Sequence, residues 1–211
     1  MLSYPSERTP VELVIRARRS TRKYRQDPVP RELIERVLES ACWAPSALNR
    51  QPWHFVVVTD ADQRAALARA SGFAGLVVQR HVLQAPVLIA LCGDAHLSSW
   101  YVHDCCLASQ NLMLAATALG LGTCWIGAFS EEKAREVLGL PAEIRVVGII
   151  TMGYPVRALT RPTLRLPLHD VVHWESFDMP GRHGPGARSV GRSGLLSLWR
   201  EALDLLGLGH R

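Results

Sequence analysis

The chain has 211 residues, 48% of them hydrophobic, which is enough to fill one well-packed core and favours one globular domain over two. Its formal net charge of +5 comes from 24 basic and 19 acidic residues, and the basic surplus gathers in residues 16–25 and 182–211. This surplus indicates an anionic partner, but charge alone does not distinguish nucleic acid, an anionic membrane and a phosphorylated small molecule.

Helix signals mark the first fifty residues. Thr9, followed by Pro10 and Glu12, predicts a capped helix that runs to about Arg18. A basic turn follows. Apolar residues at helical spacing then predict an amphipathic helix over residues 31–43, which ends before the next proline.

Strand and helix signals alternate over the next hundred residues. Strands are predicted at 55–59, 87–91, 123–126 and 145–153, and helices at 60–71, 100–119 and 130–138. The uninterrupted apolar run at 87–91 is typical of a strand that is covered on both faces. This order of elements predicts an α/β or α+β sheet protein.

An uncharged stretch from Cys105 to Phe129 is long enough to span a membrane. Polar side chains interrupt it, however, and the segment at 120–123 breaks the helix. We therefore predict a fully buried helix that runs into a strand, and a subunit interface as the source of its cover.

Regular patterning stops after Pro155, where we expect an extended arm that reaches Phe177. Glycine and proline then indicate a linker, and leucines at helical spacing indicate one more helix. The predicted organisation is a domain at residues 1–178, a flexible basic linker at 179–193 and a C-terminal amphipathic helix at 194–211.

The five cysteines and the first ten residues bear on the cellular compartment. The cysteine number is odd, no Cys-x-x-Cys pair is present and the surroundings are apolar, which predicts buried, reduced thiols. The N-terminal residues lack the charged and then apolar pattern of a secretory signal peptide. We therefore expect a cytoplasmic protein.

Three segments carry side chains or backbone suited to a ligand. The basic turn at residues 18–22 can present guanidinium and hydroxyl donors to a phosphate or a carbonyl edge, although a solvated basic face explains it as well. Asn49 and Gln51 can read a planar ring with N–H and C=O groups, unless they only form a capped loop before a strand. Gly127 and Ala128 at a strand end leave backbone N–H groups uncovered for a flat ring.

Two other groups of residues suggest weaker alternatives. Residues 103–106 and the pair His169 and His173 have metal-ligand types, but no second cluster lies at zinc spacing and the histidines lie in an extended context. Residues 182–192 are basic but lack interleaved aromatic residues, so we expect no nucleic-acid partner. We expect no membrane partner either.

The motifs RRSTRKY, WAPSALNRQPW, DCCLASQNLMLAATALGLGTCWIGAF, MGYP and RLPLHDVVHW occur in this order. Together they resemble the FMN-dependent nitroreductase family over about Val11 to Phe177. The resemblance implies an α+β, nitroreductase-like fold with a central, mainly antiparallel sheet flanked by helices. It also implies an intertwined homodimer with FMN sites at the subunit interface.

The resemblance assigns the FMN contacts residue by residue. It implies that the phosphate and the pyrimidine side of the ring are bound by Arg18, Arg19, Ser20 and Arg22, and that the other subunit contributes Pro45, Ser46, Ala47 and Asn49. It implies that the isoalloxazine ring lies along Trp125, Ile126, Gly127 and Ala128. It also implies that Arg165 closes on the phosphate. Gly127 departs from larger bacterial members, which have an acidic residue there. The basic residue that some members place before the second strand corresponds to Arg80 or His81, and the sequence leaves this open.

The implied activity is a two-step oxidoreduction. NADH or NADPH would reduce FMN, and an electron-poor small molecule such as a nitroaromatic or a quinone would then reoxidise it. No side chain is expected to act as a catalytic group. Two alternatives are a specialised dehalogenating or flavin-fragmenting member and a non-catalytic flavin-binding protein.

Overall fold

The computed structural model describes residues 7–71, 79–157 and 163–177. The α-helices are α1 (Pro10–Ala17), α2 (Arg31–Cys42), α3 (Ala61–Ala70), α4 (Arg80–Gln84), α5 (Tyr101–Ala118) and α6 (Glu131–Leu138). The strands are β1 (Trp53–Val58), β2 (Val87–Asp94), β3 (Gly122–Ile126) and β4 (Ile144–Gly153), and short 3₁₀ turns cover Ala47–Asn49 and Leu168–Asp170.

The start of α1 is fixed by the predicted cap. The Thr9 side chain accepts a hydrogen bond from the Glu12 backbone N–H, and the Glu12 carboxylate accepts one from the Thr9 N–H at 2.8 Å. The start of α6 is fixed in the same way, because the Ser130 side chain accepts from the Lys133 N–H. The contacts are reciprocal at Thr9 and one-sided at Ser130, and both satisfy N–H groups that a helix start leaves unpaired.

The four strands form one sheet in the order β1-β2-β4-β3, and every neighbouring pair is antiparallel. Alternate side chains of β2 enter two separate cores, one containing residues of α2 and α5 and the other residues of α3 and α6. All residues of β2 except Asp94 are buried, which confirms the prediction of a strand covered on both faces.

A β-bulge interrupts the pairing of β2 with β4. Leu91 pairs with Gly148, whereas the next residue, Cys92, pairs with Val146. Val147 is therefore the extra residue on β4. The bulge changes which face the following residues occupy, and Val146 and Ile149 consequently enter the same core.

A single chain does not bury α5 on every side, and the cover expected from a subunit interface stays a prediction. Leu112 is fully buried, but Val102 is 42% exposed and Leu107 is 47% exposed. The reason is that the sheet and α2 cover only one face of the helix. The first helix, α1, buries none of its residues, and its Val11 is 65% exposed.

The prediction that all five cysteines are buried is wrong for Cys42 and Cys106, which are exposed. Cys42 ends α2, and Cys106 lies on the exposed face of α5. Burial raises the pKa of Cys92 and that of Cys105 to about 12, because a thiolate loses its hydration there.

The described chain divides into two compact units, and the second begins at Leu164. In the described part of the second unit, Leu164 to Phe177, the only regular element is the Leu168–Asp170 turn. The predicted linker and C-terminal helix lie outside the described residues, so the domain boundaries stay predictions. Among the described helices, none has the length and apolarity needed to cross a membrane.

Candidate functional site

The basic turn lies directly beside β3. Ser20 forms a parallel bridge with Thr123, and the Thr21 N–H donates to the Thr123 carbonyl at 2.8 Å. This approach requires a glycine in the strand, because a Cβ on Gly122 would lie 2.4 Å from Thr21 Oγ1. Two motifs that are a hundred residues apart in the sequence therefore form one surface.

The end of β4 holds the other side of the turn. The Tyr24 hydroxyl donates to the Thr21 carbonyl and shares a 2.6 Å hydrogen bond with Thr151 Oγ1. The Arg25 N–H donates to the Tyr154 carbonyl at 2.8 Å. Burial raises the pKa of Tyr24, so its hydroxyl stays neutral and able to donate.

Positive charge gathers around the thiol of Cys124 in β3. Burial raises the pKa of Cys124, whereas the charge of Arg22, a hydrogen bond with the Ser20 side chain and the charge of Arg18 lower it. These three residues were predicted to bind an anion, and the structure brings all of them to one edge of the sheet.

The guanidinium of Arg19 contacts the C-terminal end of α1. It donates to the backbone carbonyls of Arg16 and Arg18, the latter at 2.9 Å. A cation at this position compensates the partial negative charge of the helix end. The predicted contact of Arg19 with a phosphate stays a prediction.

His81 is the residue that the structure brings into the electrostatic field of the basic turn. Burial and the positive charge of Arg22 both lower the pKa of His81, which favours a neutral ring. In the described part of the chain, its buried Nε2 atom has no hydrogen-bond partner. The sequence left Arg80 and His81 as alternatives, and the choice between them as an FMN contact stays a prediction.

The loop between α2 and β1 carries the second set of predicted residues. Ser46 Oγ accepts from the Gln51 N–H at 3.0 Å, and the Ser46 carbonyl accepts from the Asn49 N–H at 2.9 Å. The φ angles of Leu48, Asn49 and Gln51 are all positive. Residues other than glycine rarely adopt such angles, and they are concentrated at functional sites.

Asp104 fixes this loop to α5, a role that the sequence reasoning missed. Asp104 is 4% exposed, and its Oδ1 accepts from the Ala47 N–H at 3.1 Å. The sequence placed Asp104 in a weak metal-ligand cluster and at the start of one family motif, and it assigned Asp104 no contact with the loop. Among the described residues, no group of three or more His, Cys, Asp or Glu side chains is placed to hold a metal ion.

The third set of residues follows the end of β3. The indole of Trp125 packs against Gly148, and Ile126 is 3% exposed in the core, so both side chains are occupied by the protein itself. Gly127 is exposed and Ala128 is partly exposed. Only this end of the strand leaves room for a flat ring to lie against the backbone.

A model of the nitroreductase family matches residues 15–74 and 73–154, which is more than half of the chain. The chain belongs to the nitroreductase family.

Three similar proteins show the breadth of this family. A candidate NADH dehydrogenase/NAD(P)H nitroreductase of Archaeoglobus fulgidus is 37% identical over 150 residues, which cover 67% of this chain and 83% of that protein. The 5,6-dimethylbenzimidazole synthase of Rhodospirillum rubrum is 30% identical over 200 residues, and the matched region covers 82% of this chain and 92% of that protein. The solved NADPH:FMN oxidoreductase of Vibrio harveyi, in complex with NAD⁺, has 25% identity and a TM-score of 0.73, with 92% of this chain and 85% of that chain covered.

The similarity to this solved structure, and to the solved Parabacteroides distasonis family member at a TM-score of 0.73 and 32% identity, covering 81% of this chain and all of that one, confirms the nitroreductase-like α+β fold that the sequence predicted. Within this chain, however, the two halves of the predicted site lie on opposite edges of the sheet. β1 and β3 are separated by three strand spacings, about 14 Å. The hydrogen bonds that join the loop at 46–51 to other elements run to α5 and to the turn that contains Leu97.

Arg165 lies in the second unit of the chain. It is exposed, and its guanidinium donates to the Leu164 carbonyl at 2.9 Å. Its predicted closure on a phosphate stays a prediction.

Proposed function

We propose that this chain is an FMN-dependent oxidoreductase that uses NADH or NADPH to reduce an electron-poor acceptor, such as a nitroaromatic or a quinone. The observation that carries the proposal is the docking of the basic turn on β3, next to a strand end with exposed backbone. Bound FMN would supply the two-electron chemistry. The donor and the acceptor would use the same site in turn, which gives ping-pong kinetics.

The residues at this edge fit an anionic flavin nucleotide. The guanidiniums of Arg18 and Arg22 and the hydroxyl of Ser20 are donors suited to a phosphate and to the carbonyl edge of a ring. The buried Nε2 of His81 needs a partner, since buried polar atoms are normally hydrogen-bonded. The exposed Gly127 admits a planar group to the backbone.

The complete predicted contact set includes residues beyond this edge. It consists of Arg18, Arg19, Ser20 and Arg22 from the basic turn, Trp125, Ile126, Gly127 and Ala128 from the end of β3, Arg165 from the second unit, and Pro45, Ser46, Ala47 and Asn49 from the other subunit of a homodimer. For Trp125 and Ile126 we assign the contact to the backbone, because their side chains pack inside the protein.

Two observations support a homodimer with a shared site. The loop at 46–51 and the basic turn lie on opposite edges of one sheet, which suits contributions to two different FMN molecules. The exposed apolar side chains of α1 and α5, including Leu13, Ile15 and Leu107, need cover that one chain does not provide.

The charged and polar residues at this edge would also affect the stability of the reduced flavin. Two guanidiniums close to one edge of a bound ring stabilise negative charge on that edge, so Arg18 and Arg22 would favour the reduced state. The neutral ring of His81 can accept or donate one hydrogen bond there without adding charge.

The test begins with the purified full chain. We expect bound FMN, visible by its absorbance, that bleaches under anaerobic conditions with NADH or NADPH and recovers when an acceptor is added. Colourless protein that takes up no added FMN would overturn the proposal. A screen of nitroaromatics and quinones by steady-state kinetics then identifies the acceptor class.

Single substitutions test which residues contact FMN. We expect Arg22→Ala and Asn49→Ala to weaken FMN retention, whereas Arg36→Ala, on the exposed face of α2, leaves it unchanged. Equal loss from all three variants would indicate general destabilisation and would contradict the assigned contacts.

A second candidate function is favoured by the 30% identity with 5,6-dimethylbenzimidazole synthase. In that case, aerated reduced protein would consume FMN and release a benzimidazole. Chromatography of the products decides between the two candidates, because an oxidoreductase returns its FMN intact.

A further inference from the structure

The backbone of the loop at 46–51 needs support from outside. Leu48, Asn49 and Gln51 have φ angles of 52°, 54° and 49°. Side chains with a Cβ disfavour this region, so such angles persist only where surrounding contacts hold them.

Contacts inside the loop close it on itself but do not fix its position. The Gln51 N–H donates to Ser46 Oγ, and the Asn49 N–H donates to the Ser46 carbonyl. The Arg50 N–H also donates to the Ala47 carbonyl, and Gln51 Nε2 donates to the Asn49 carbonyl. Two hydrogen bonds tie the loop to the rest of the unit. Arg50 donates to the Leu97 carbonyl at the surface, and Ala47 donates to the buried carboxylate of α5.

The carboxylate of Asp104 is a hydrogen-bond acceptor whose position is fixed by its surroundings. It lies in the first turn of α5, where the helix dipole favours a carboxylate. Its Oδ2 accepts from Ser98 Oγ at 3.3 Å, and Ser98 Oγ in turn accepts from the Trp100 N–H at 3.1 Å. Ser98 is only 2% exposed. The carboxylate is therefore held in place through Oδ2, while Oδ1 receives the loop.

We propose that Asp104 is a positioning residue that holds the backbone of residues 46–49 in the conformation that binds FMN. The inference rests on the proposed function, because it concerns the loop through which one subunit is assigned to the flavin of the other. The Ala47 N–H is the point of attachment, since it lies between Ser46 and Asn49, both of which are assigned to the flavin. Asp104 itself does not touch the ligand in this scheme.

A purely structural role for Asp104 makes a different prediction. A carboxylate that only stabilises the first turn of α5 would affect unfolding but not the flavin. Ser109 offers a matched control, because it is also a buried polar residue of α5, 3% exposed, and its hydroxyl donates within the helix to the Cys106 carbonyl at 2.7 Å.

The experiment compares Asp104→Leu, Asp104→Asn and Ser109→Ala in the full chain. Leucine is similar in size but cannot accept a hydrogen bond, whereas asparagine keeps a carbonyl oxygen for the Ala47 N–H. We expect the Kd for FMN to rise about tenfold or more in Asp104→Leu and to stay within about threefold in Asp104→Asn. The absorbance bands of the bound flavin should shift in Asp104→Leu, and Ser109→Ala should change neither quantity.

Amide hydrogen exchange of the FMN-free protein provides a readout that does not depend on the flavin. Peptides that cover residues 44–52 should exchange faster in Asp104→Leu than in the parent chain, and at the parent rate in Ser109→Ala. Unchanged exchange in Asp104→Leu would overturn the inference, as would unchanged FMN affinity and absorbance. A parent chain that binds no FMN would overturn the proposed function itself, and the exchange rates would still decide whether Asp104 holds the loop.

Discussion

The indole of Trp125 lies so close to Gly148 that a Cβ on residue 148 would come within 2.4 Å of its ring atoms Cη2 and Cζ2. Trp125 belongs to β3 and Gly148 to the bulged part of β4, so this contact joins the strand that ends at the candidate site to the irregularity in its neighbour. The bulge and the large side chain fit each other, and neither is explained by local sequence.

Gly148→Ala tests this fit. The added methyl group must displace a packed indole, so we expect the free energy of unfolding to fall by about 1–3 kcal/mol. Denaturant unfolding of the FMN-free protein measures the change. Combining Gly148→Ala with Trp125→Leu should restore part of the loss, because leucine vacates the space; strictly additive effects would contradict the contact.

Gly122→Ala tests the docking of the basic turn. A Cβ there would lie 2.4 Å from Thr21 Oγ1, and the turn that carries Ser20 and Arg22 would have to move away from β3. We expect the Kd for FMN to rise about tenfold or more, as when a charge-assisted contact is lost. Isothermal titration with FMN measures it. A change in unfolding temperature without a change in FMN affinity would separate the turn from the site.

Leu48 tests the strain in the loop. Its φ is 52°, and its side chain is 83% exposed, so the residue gains little from packing within the chain. Asparagine tolerates the left-handed region, and β-branched residues do not. We expect Leu48→Asn to raise the free energy of unfolding by about 0.5–1 kcal/mol and Leu48→Val to lower it by a similar amount. Unfolding curves that rank the two variants in the opposite order would contradict the observed backbone.

The buried thiols predict a loss of stability at alkaline pH. Burial raises the pKa of Cys92 and that of Cys105 from the ordinary 9.0 to about 12, so the unfolded chain releases these protons at lower pH than the folded chain. Their contribution is fully present below about pH 9 and is lost as the pH rises towards 12, by about 1.4 kcal/mol per pH unit for each thiol.

Unfolding by denaturant between neutral and alkaline pH measures this slope. We expect Cys92→Ala and Cys105→Ala each to make the slope shallower, although each also lowers stability at neutral pH by leaving a small cavity. Cys42→Ala is the control, because Cys42 is exposed. The same slope in all three variants would assign the alkaline loss to other groups, such as Tyr24.

The sequence predicted the elements of the fold well, because each has a local signal. The run predicted as a strand at 87–91 lies within β2, and the helix predicted at 31–43 is α2 to within one residue. Continuous apolarity marks strands that are covered on both faces, and helical spacing marks one-sided helices. For α5 the apolar composition predicted burial with help from a subunit interface, and one chain by itself covers only one face.

The candidate site was predicted in its parts but not in its arrangement. The basic turn, the amide loop and the exposed strand end were each recognised from residue types, and the family resemblance joined them. The attachment of Ala47 to Asp104 was missed because 57 residues separate them. Nothing in the residues around Asp104 indicated a backbone partner on another element.

What the sequence determined by itself was the period of each segment, the caps of its helices and the chemistry of its donors, since all of these depend on neighbours a few residues away. Only the tertiary structure decided the strand order, the bulge at Val147, the direction of Arg19 and the burial of the Cys124 thiol beside the basic turn. These depend on which side chains fill the same space, and close packing between distant segments is not encoded in any one of them.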